Sequence, residues 1–379
     1  MKMKVSCLQE NLARGLSTVA RAVSTRSTLP VLSNVLLATD SGRLKLSATN
    51  LEIVITCWIG AKVAESGAIT VPARTLSDLV NALPAELIEL NLEEQTQTLH
   101  LACARTEANI KGIDAQEFPL VPEPQADNQI RLDTVLLKQM ISQVAFAAAS
   151  DDTRPILTGV ATKFEGSSIT MSATDSFRLS VRTAEFPGFV SEPISIIIPA
   201  RALNEVARVA PDDVETITLS IPPGRNQVIF DMGDAVVVSQ LIDGTFPDVG
   251  RLVPDHYLTR TVMGTAEFLK ACKTANIFAR ESSNTARVQV SPGNEIMPGY
   301  ATIAATSAET GDNIAQVDAS VDGEQVEIAF NVKYMTDLLN VIDTPQVALE
   351  TRTAREPGVL KPVGYEGFRH VIMPMHFGR

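Results

Sequence analysis

Few residues in this 379-residue chain stand at spacings that suit bond-making chemistry. Of the four histidines only His370 and His376 lie near one another, and no third ligand joins them at metal-binding spacing. Asp151-Asp152 and Asp212-Asp213 are paired carboxylates of the kind that can share acid–base work. Each pair, however, sits beside a helix end, where acidic residues cap or solvate turns. Cys7, Cys57, Cys103 and Cys272 are widely spaced with no C-x-x-C, which argues against a zinc ribbon or a disulfide framework and for a reducing compartment. Walker, dinucleotide-binding, H-E-x-x-H and G-x-S-x-G patterns are all missing. The residues therefore predict no catalytic group, no metal site and no cofactor.

The chemistry that does emerge is electrostatic. The chain carries a formal charge of −12 and a pI near 4.9, which by itself speaks against a general nucleic-acid coat. Six runs with helical apolar spacing break that trend: 8–23, 73–83, 134–149, 200–210, 266–280 and 332–342. Together they hold ten basic residues against five acidic ones, a net +5 in a chain whose remainder must be −17. Basic helices in an acidic, strand-rich body suggest one face turned to a polyanion. A few Lys or Arg contacts to phosphate would bind it weakly, without sequence preference and with strong salt dependence.

Those helices belong to a repeat of about 126 residues. Arg26-Ser27-Thr28-Leu29-Pro30, leading to Ser47-Ala48-Thr49-Asn50, returns as Arg154-Pro155-Ile156-Leu157, leading to Ser172-Ala173-Thr174-Asp175. Val71-Pro72-Ala73-Arg74 returns as Ile198-Pro199-Ala200-Arg201 and, more faintly, as Phe330-Asn331-Val332-Lys333. Phe118-Pro119, Phe246-Pro247 and Met373-Pro374 mark a third set. Each copy reads as a strand, a helix of about 16 residues, alternating strands, a second helix and further strands, an α+β class. Proline-containing joints near Pro122–Gln125 and Pro254–His256 give domains 1–125, 126–255 and 256–379. The first residues lack the apolar core of a signal peptide, and the longest apolar runs are strand-sized, so a soluble, cytoplasmic chain with no membrane partner is expected.

The repeat and its motifs, with Ala173-Thr-Asp-Ser-Phe-Arg178-Leu179, Leu241-Ile-Asp-Gly-Thr-Phe-Pro-Asp248 and Val371-Ile-Met-Pro-Met375, resemble the bacterial DNA polymerase III beta subunit, the sliding-clamp family, over essentially the whole chain. The resemblance implies three clamp domains, each with two helices packed on antiparallel sheets, and a head-to-tail, ring-shaped homodimer around duplex DNA. It implies a non-catalytic processivity factor of the polymerase III holoenzyme. Expected partners are duplex and primed DNA, the replicative polymerase alpha subunit, the clamp loader, and other clamp-binding proteins such as repair polymerases, mismatch-repair proteins and ligase. A specialised or inhibitor-resistant paralogue is the alternative.

By matching position the family implies DNA contacts at Arg26, Arg74, Arg154, Arg201 and Lys333. It implies an adaptable apolar peptide pocket at Leu157, Thr174, Phe177, Arg178, Leu179, Pro247, Arg251, Val371, Met373, Pro374 and Met375. It also implies a dimer joint between Cys103–Lys111 of one copy and Ala275–Val290 of the other, with Ile277 and Phe278 as apolar knobs near Ala108 and Ile110, and Arg105, Glu107, Arg280 and Glu281 available for flanking ion pairs. The chain departs from the family pattern at Ser176-Phe177, where glycine and an imidazole or phenol are commoner, at Val249-Gly250, and in its tail His376–Arg379.

Overall fold

The computed structural model describes residues 3–24, 28–123, 129–151, 153–224 and 226–375, with Arg251 as backbone only. Among them six α-helices run α1 (Gln9–Val19), α2 (Ala73–Ala82), α3 (Thr134–Val144), α4 (Ala200–Val209), α5 (Thr265–Ala279) and α6 (Val332–Leu339). The first helices of repeats one and two are shorter than the expected 16 residues. Their last turns tighten into 3-10 geometry at Ala20–Ala22 and Ala145–Ala147, whereas α5 stays α-helical throughout.

The repeated motif before the second helix explains its own variation. In two copies a proline (Pro72, Pro199) ends the strand just before the helix, where its missing N–H costs nothing. The third copy has Asn331 there, and its side chain accepts from the Lys333 N–H as an N-cap. Each helix buries one apolar stripe: Leu12, Leu16 and Val19 in α1, Leu76 and Val80 in α2, Met335, Leu338 and Leu339 in α6. Removing each such side chain from water contributes roughly 1.5–3 kcal/mol. Gly15 lets α1 lie close on its sheet, since a Cβ there would stand 3.0 Å from Ile59 and 3.3 Å from Leu46.

All named strand pairs are antiparallel, in three sheets of five, eight and ten strands. The chain divides into two compact units, Met1–Val135 with Ala202–Leu241, and Leu136–Arg201 with Ile242–Arg379. Each contains one joint between successive repeats. In the first unit strand Ala235–Gln240 pairs with strand Ile53–Ile59, and in the second strand Phe368–Ile372 pairs with the start of strand Arg178–Pro199. Among the described residues no helix is long and apolar enough to cross a membrane.

Candidate functional site

The residues that might have made or broken bonds are dispersed or buried. His370 is fully buried, its Nδ1 2.6 Å from Ser180 Oγ and its ring stacked on Phe146. Burial, with a smaller contribution from the Arg178 charge, holds its pKa down at about 3, so the ring is neutral at pH 7. All four cysteines are free and buried, and burial pushes the Cys7 and Cys57 thiols up to about 12. Asp151 is an exposed turn residue that accepts hydrogen bonds from Thr153; Asp152 and His376 lie outside the described residues. Among the described residues no three His, Cys, Asp or Glu side chains gather as a metal site.

The expected pocket residues do converge, at the second joint. Leu179 pairs in register with Val371, and both are 2 % exposed. They form an apolar cluster with Val359, backed by Val181, Val249 and Val253. Leu157 and Thr174 are buried, whereas Phe177 and Met373 stand 59 % and 39 % exposed beside the cluster, with Pro247 exposed as well. The Met373 N–H donates to the Phe177 carbonyl at 2.9 Å, so the two exposed apolar side chains hang from one backbone hydrogen bond. Met375 is drawn away into the third repeat: its N–H donates to Ala329 O at 2.8 Å and its sulfur accepts from Thr285. Arg251 has no described side chain. Val359, Val181 and Val253 were not singled out from sequence, since short valine-rich strands look alike whichever face they present.

The turn that carries Phe177 is held from within. Asp175 Oδ1 accepts from the N–H groups of Phe177 and Arg178, and Thr174 Oγ1 accepts from Ser176 N–H while donating to Arg178 O. Ser176 has φ +78°, the left-handed conformation that glycine adopts freely, which explains why glycine is the commoner residue there. Arg178 was expected among the peptide contacts, but its guanidinium is already engaged. Nε donates to Asp175 at 3.0 Å, Nη1 to Asp337 at 2.7 Å and Nη2 to the Phe146 carbonyl at 2.7 Å. Its faces meet the rings of Tyr334 at 4.3 Å and Phe146 at 5.3 Å, and the side chain is 10 % exposed.

The expected phosphate contacts fall in two groups. Arg74, Arg201 and Lys333 occupy the same place in the first turns of α2, α4 and α6, all exposed; Arg74 is near only its own-helix neighbour Asp78, at 3.7 Å. Arg154 is exposed but locally occupied, donating to Ser176 Oγ at 2.7 Å and Asp175 O at 3.3 Å. Arg26 lies outside the described residues.

Of the expected joint residues, Arg105, Ile277 and Arg280 are exposed, and Ala108 and Phe278 are half-buried. Ile110 departs from expectation: strand alternation turns it into the first repeat's own core, 6 % exposed. The expected window also included strand Thr285–Ser291, which is paired on both sides and so has no edge to offer. Among the described residues, 311–318 of strand Gly311–Asp322 are bonded only to Tyr300–Ser307 and so keep an unpaired side; strand Thr106–Lys111 is the outer strand of its sheet, as Val326–Asn331 is of the ten-stranded one.

Comparisons with known proteins agree with this architecture. Sequence profiles of the N-terminal, central and C-terminal domains of the DNA polymerase III beta subunit match residues 3–122, 131–248 and 250–376 in turn. The chain is 33 % identical over 369 residues to the beta sliding clamp of Staphylococcus aureus, spanning 95 % of this chain and 96 % of that protein. It is similar in structure to the DNA polymerase sliding clamp of Bacillus subtilis, with a TM-score of 0.93 at 28 % identity over all of both chains. It is also similar to the sliding clamp of Pseudomonas aeruginosa bound to griselimycin, with a TM-score of 0.91 at 28 % identity and full coverage of both. Three tandem domain matches across almost the entire length place the chain in the DNA polymerase III beta subunit family, the bacterial sliding clamps that act without catalysis, as dimers on DNA, as polymerase processivity factors.

Proposed function

We propose that two copies of this chain join head to tail as a ring of six repeats that slides on duplex DNA in the cytoplasm and catalyses no reaction itself. The observation that carries this reading is the pattern of strand edges. Both internal joints are made by strand pairing between successive repeats, and the ends leave strand Thr106–Lys111 and residues 311–318 each with a side to pair. One copy's end can therefore close on the other's by the same antiparallel hydrogen bonding, an arrangement that repeats heterologous contacts until the ring is complete. Arg105 and Lys111 beside the first edge, against Glu309 and Asp312 beside the second, favour pairing between unlike ends.

In this reading the repeats are 1–125, 126–255 and 256–379, and Arg74, Arg201 and Lys333 face the duplex, joined by Arg154 and Arg26. The exposed apolar surface at Phe177 and Met373, over Leu179 and Val371, takes short peptides of the replicative polymerase alpha subunit, the clamp loader and other clamp-binding proteins. The griselimycin complex of the Pseudomonas aeruginosa clamp supports a ligand-accepting surface on this fold. Tethering through such a surface raises local polymerase concentration without a tight grip on DNA. Light scattering tests the ring: the expected mass is about 81 kDa, twice the 40.7 kDa chain, and a monomer at micromolar concentration would exclude it. With the dimer established, Met373→Ala is expected to weaken a polymerase peptide at least about tenfold without changing that mass.

A further inference from the structure

We infer that Asp337, on α6, is a positioning residue for the peptide surface, acting through Arg178 without touching the peptide. The inference rests on the pocket reading above and adds a residue to which the family resemblance gave no role.

The two exposed apolar side chains of that surface come from different repeats, Phe177 from the second and Met373 from the third. Their spacing depends on how the turn 174–178 is set against the third repeat. The bonds inside the turn, from Asp175 and Thr174, shape it but do not orient it. Ser176 at φ +78° adds backbone strain that outside contacts must hold in place.

Beyond the Met373 N–H bond to the Phe177 carbonyl and the pairing of Arg178 with Ile372, Arg178 supplies a side-chain contact to the third repeat. Two of its three donor groups end on its own repeat, at Asp175 and the Phe146 carbonyl, while the third reaches Asp337 at 2.7 Å. Tyr334, one helical turn before Asp337, lies on the guanidinium face. Phe146, whose ring centre is 5.3 Å from the guanidinium carbon, is stacked in turn on His370. The result is a continuous stack, Tyr334–Arg178–Phe146–His370, with one ionic bond crossing from the second repeat to the third. Asp337 is the anchor that can be altered gently, because its side chain is 31 % exposed and Arg178 keeps two other acceptors. Loosening it leaves the turn folded and its backbone bond to Met373 in place but lets the Phe177 side chain shift against Met373, which costs affinity through lost preorganisation.

The repeat provides an internal control. Glu205 stands five residues into α4, as Asp337 does into α6; it reaches Arg21 across the first joint at 4.0 Å and holds Arg208 of its own helix at 2.7 Å. The test measures binding of a fluorescein-labelled peptide from the polymerase alpha subunit of the same organism to the full-length dimer, together with melting curves. Asp337→Asn is expected to weaken the peptide about fivefold, whereas Glu205→Gln, at a comparable loss of melting temperature, leaves it within about twofold. Equal losses for the two variants would overturn the inference, because the effect would then be general destabilisation. So would an unchanged affinity in Asp337→Asn alongside lost binding in Met373→Ala. A peptide indifferent to Met373→Ala would remove the pocket reading itself, and this inference with it.

Discussion

The two internal joints are built on the same pairing, and they differ in what covers it. At the first joint Val238 lies opposite Val54; at the second, Val371 lies opposite Leu179, which is 125 positions after Val54. Each pair sits in a small apolar cluster. Trp58 packs against the first cluster. Its indole N–H donates to Asp40 at 2.7 Å, and Arg43 and Lys45 lie 5.6 and 5.5 Å from the ring centre. Arg43 then reaches Asp234 across the joint at 2.6 Å. One repeat on from Trp58 stands Thr183, exposed, and the second cluster is flanked by Val249 and Val253 with Phe177 and Met373 open to solvent. The second joint thus keeps an exposed apolar surface by lacking a lid, with the same kind of strand pairing.

The largest effect expected from breaking this contrast is at the lid. Trp58→Ala should cost about 2–4 kcal/mol of unfolding free energy, through lost packing over Ile229, Val236 and Val238. Urea titration followed by circular dichroism reads this, since Trp58 is the single tryptophan. Peptide affinity at the second joint should not change, and a loss there would show that the two joints are not independent.

Next comes the second joint's buried imidazole. The folded pKa of His370 is about 3, below the ordinary value of 6.5, so the folded chain rejects a proton that the unfolded chain accepts. Its contribution is therefore fully present above pH 6.5 and declines as pH falls toward 3, at a slope approaching about 1.4 kcal/mol per pH unit. His370→Gln, compared with the parent in urea titrations from pH 7 to 5, is expected to remove that part of the slope. An identical slope in both would mean that the imidazole is hydrated in solution. The smallest effect belongs to the exposed Arg43–Asp234 pair, where Arg43→Ala should shift stability by no more than about 0.5 kcal/mol. A loss several times larger would make the surface pair, and not Trp58, the main closure of the first joint.

Much of this was legible in the residues, for a definable reason. The repeat, the helical stripes and the placement of Arg74, Arg201 and Lys333 at one helical position follow from local spacing, because periodicities of 3.6 and 2 decide which side chains share a face. The peptide surface was legible only through the family resemblance. Nothing local separates Leu179 and Val371, which are buried, from Phe177 and Met373, which are not.

What needed the tertiary structure were the partners of long side chains and the free edges of strands. Arg178 sits in sequence beside Phe177, yet its fork closes on Asp337, 159 residues away. Ile110 was expected at the dimer joint from the resemblance, but alternation within strand Thr106–Lys111 points it inward. Strand Thr285–Ser291 was expected to be available and is not, since the next strand, Tyr300–Ser307, pairs on one side and Val326–Asn331 on the other. The sequence by itself determined three repeats, their helices and where positive charge collects, all consequences of short-range spacing. Only the folded chain decided which apolar pair is covered, which arginine is engaged and which strand keeps an open side, because each depends on contacts between segments that the local pattern does not relate.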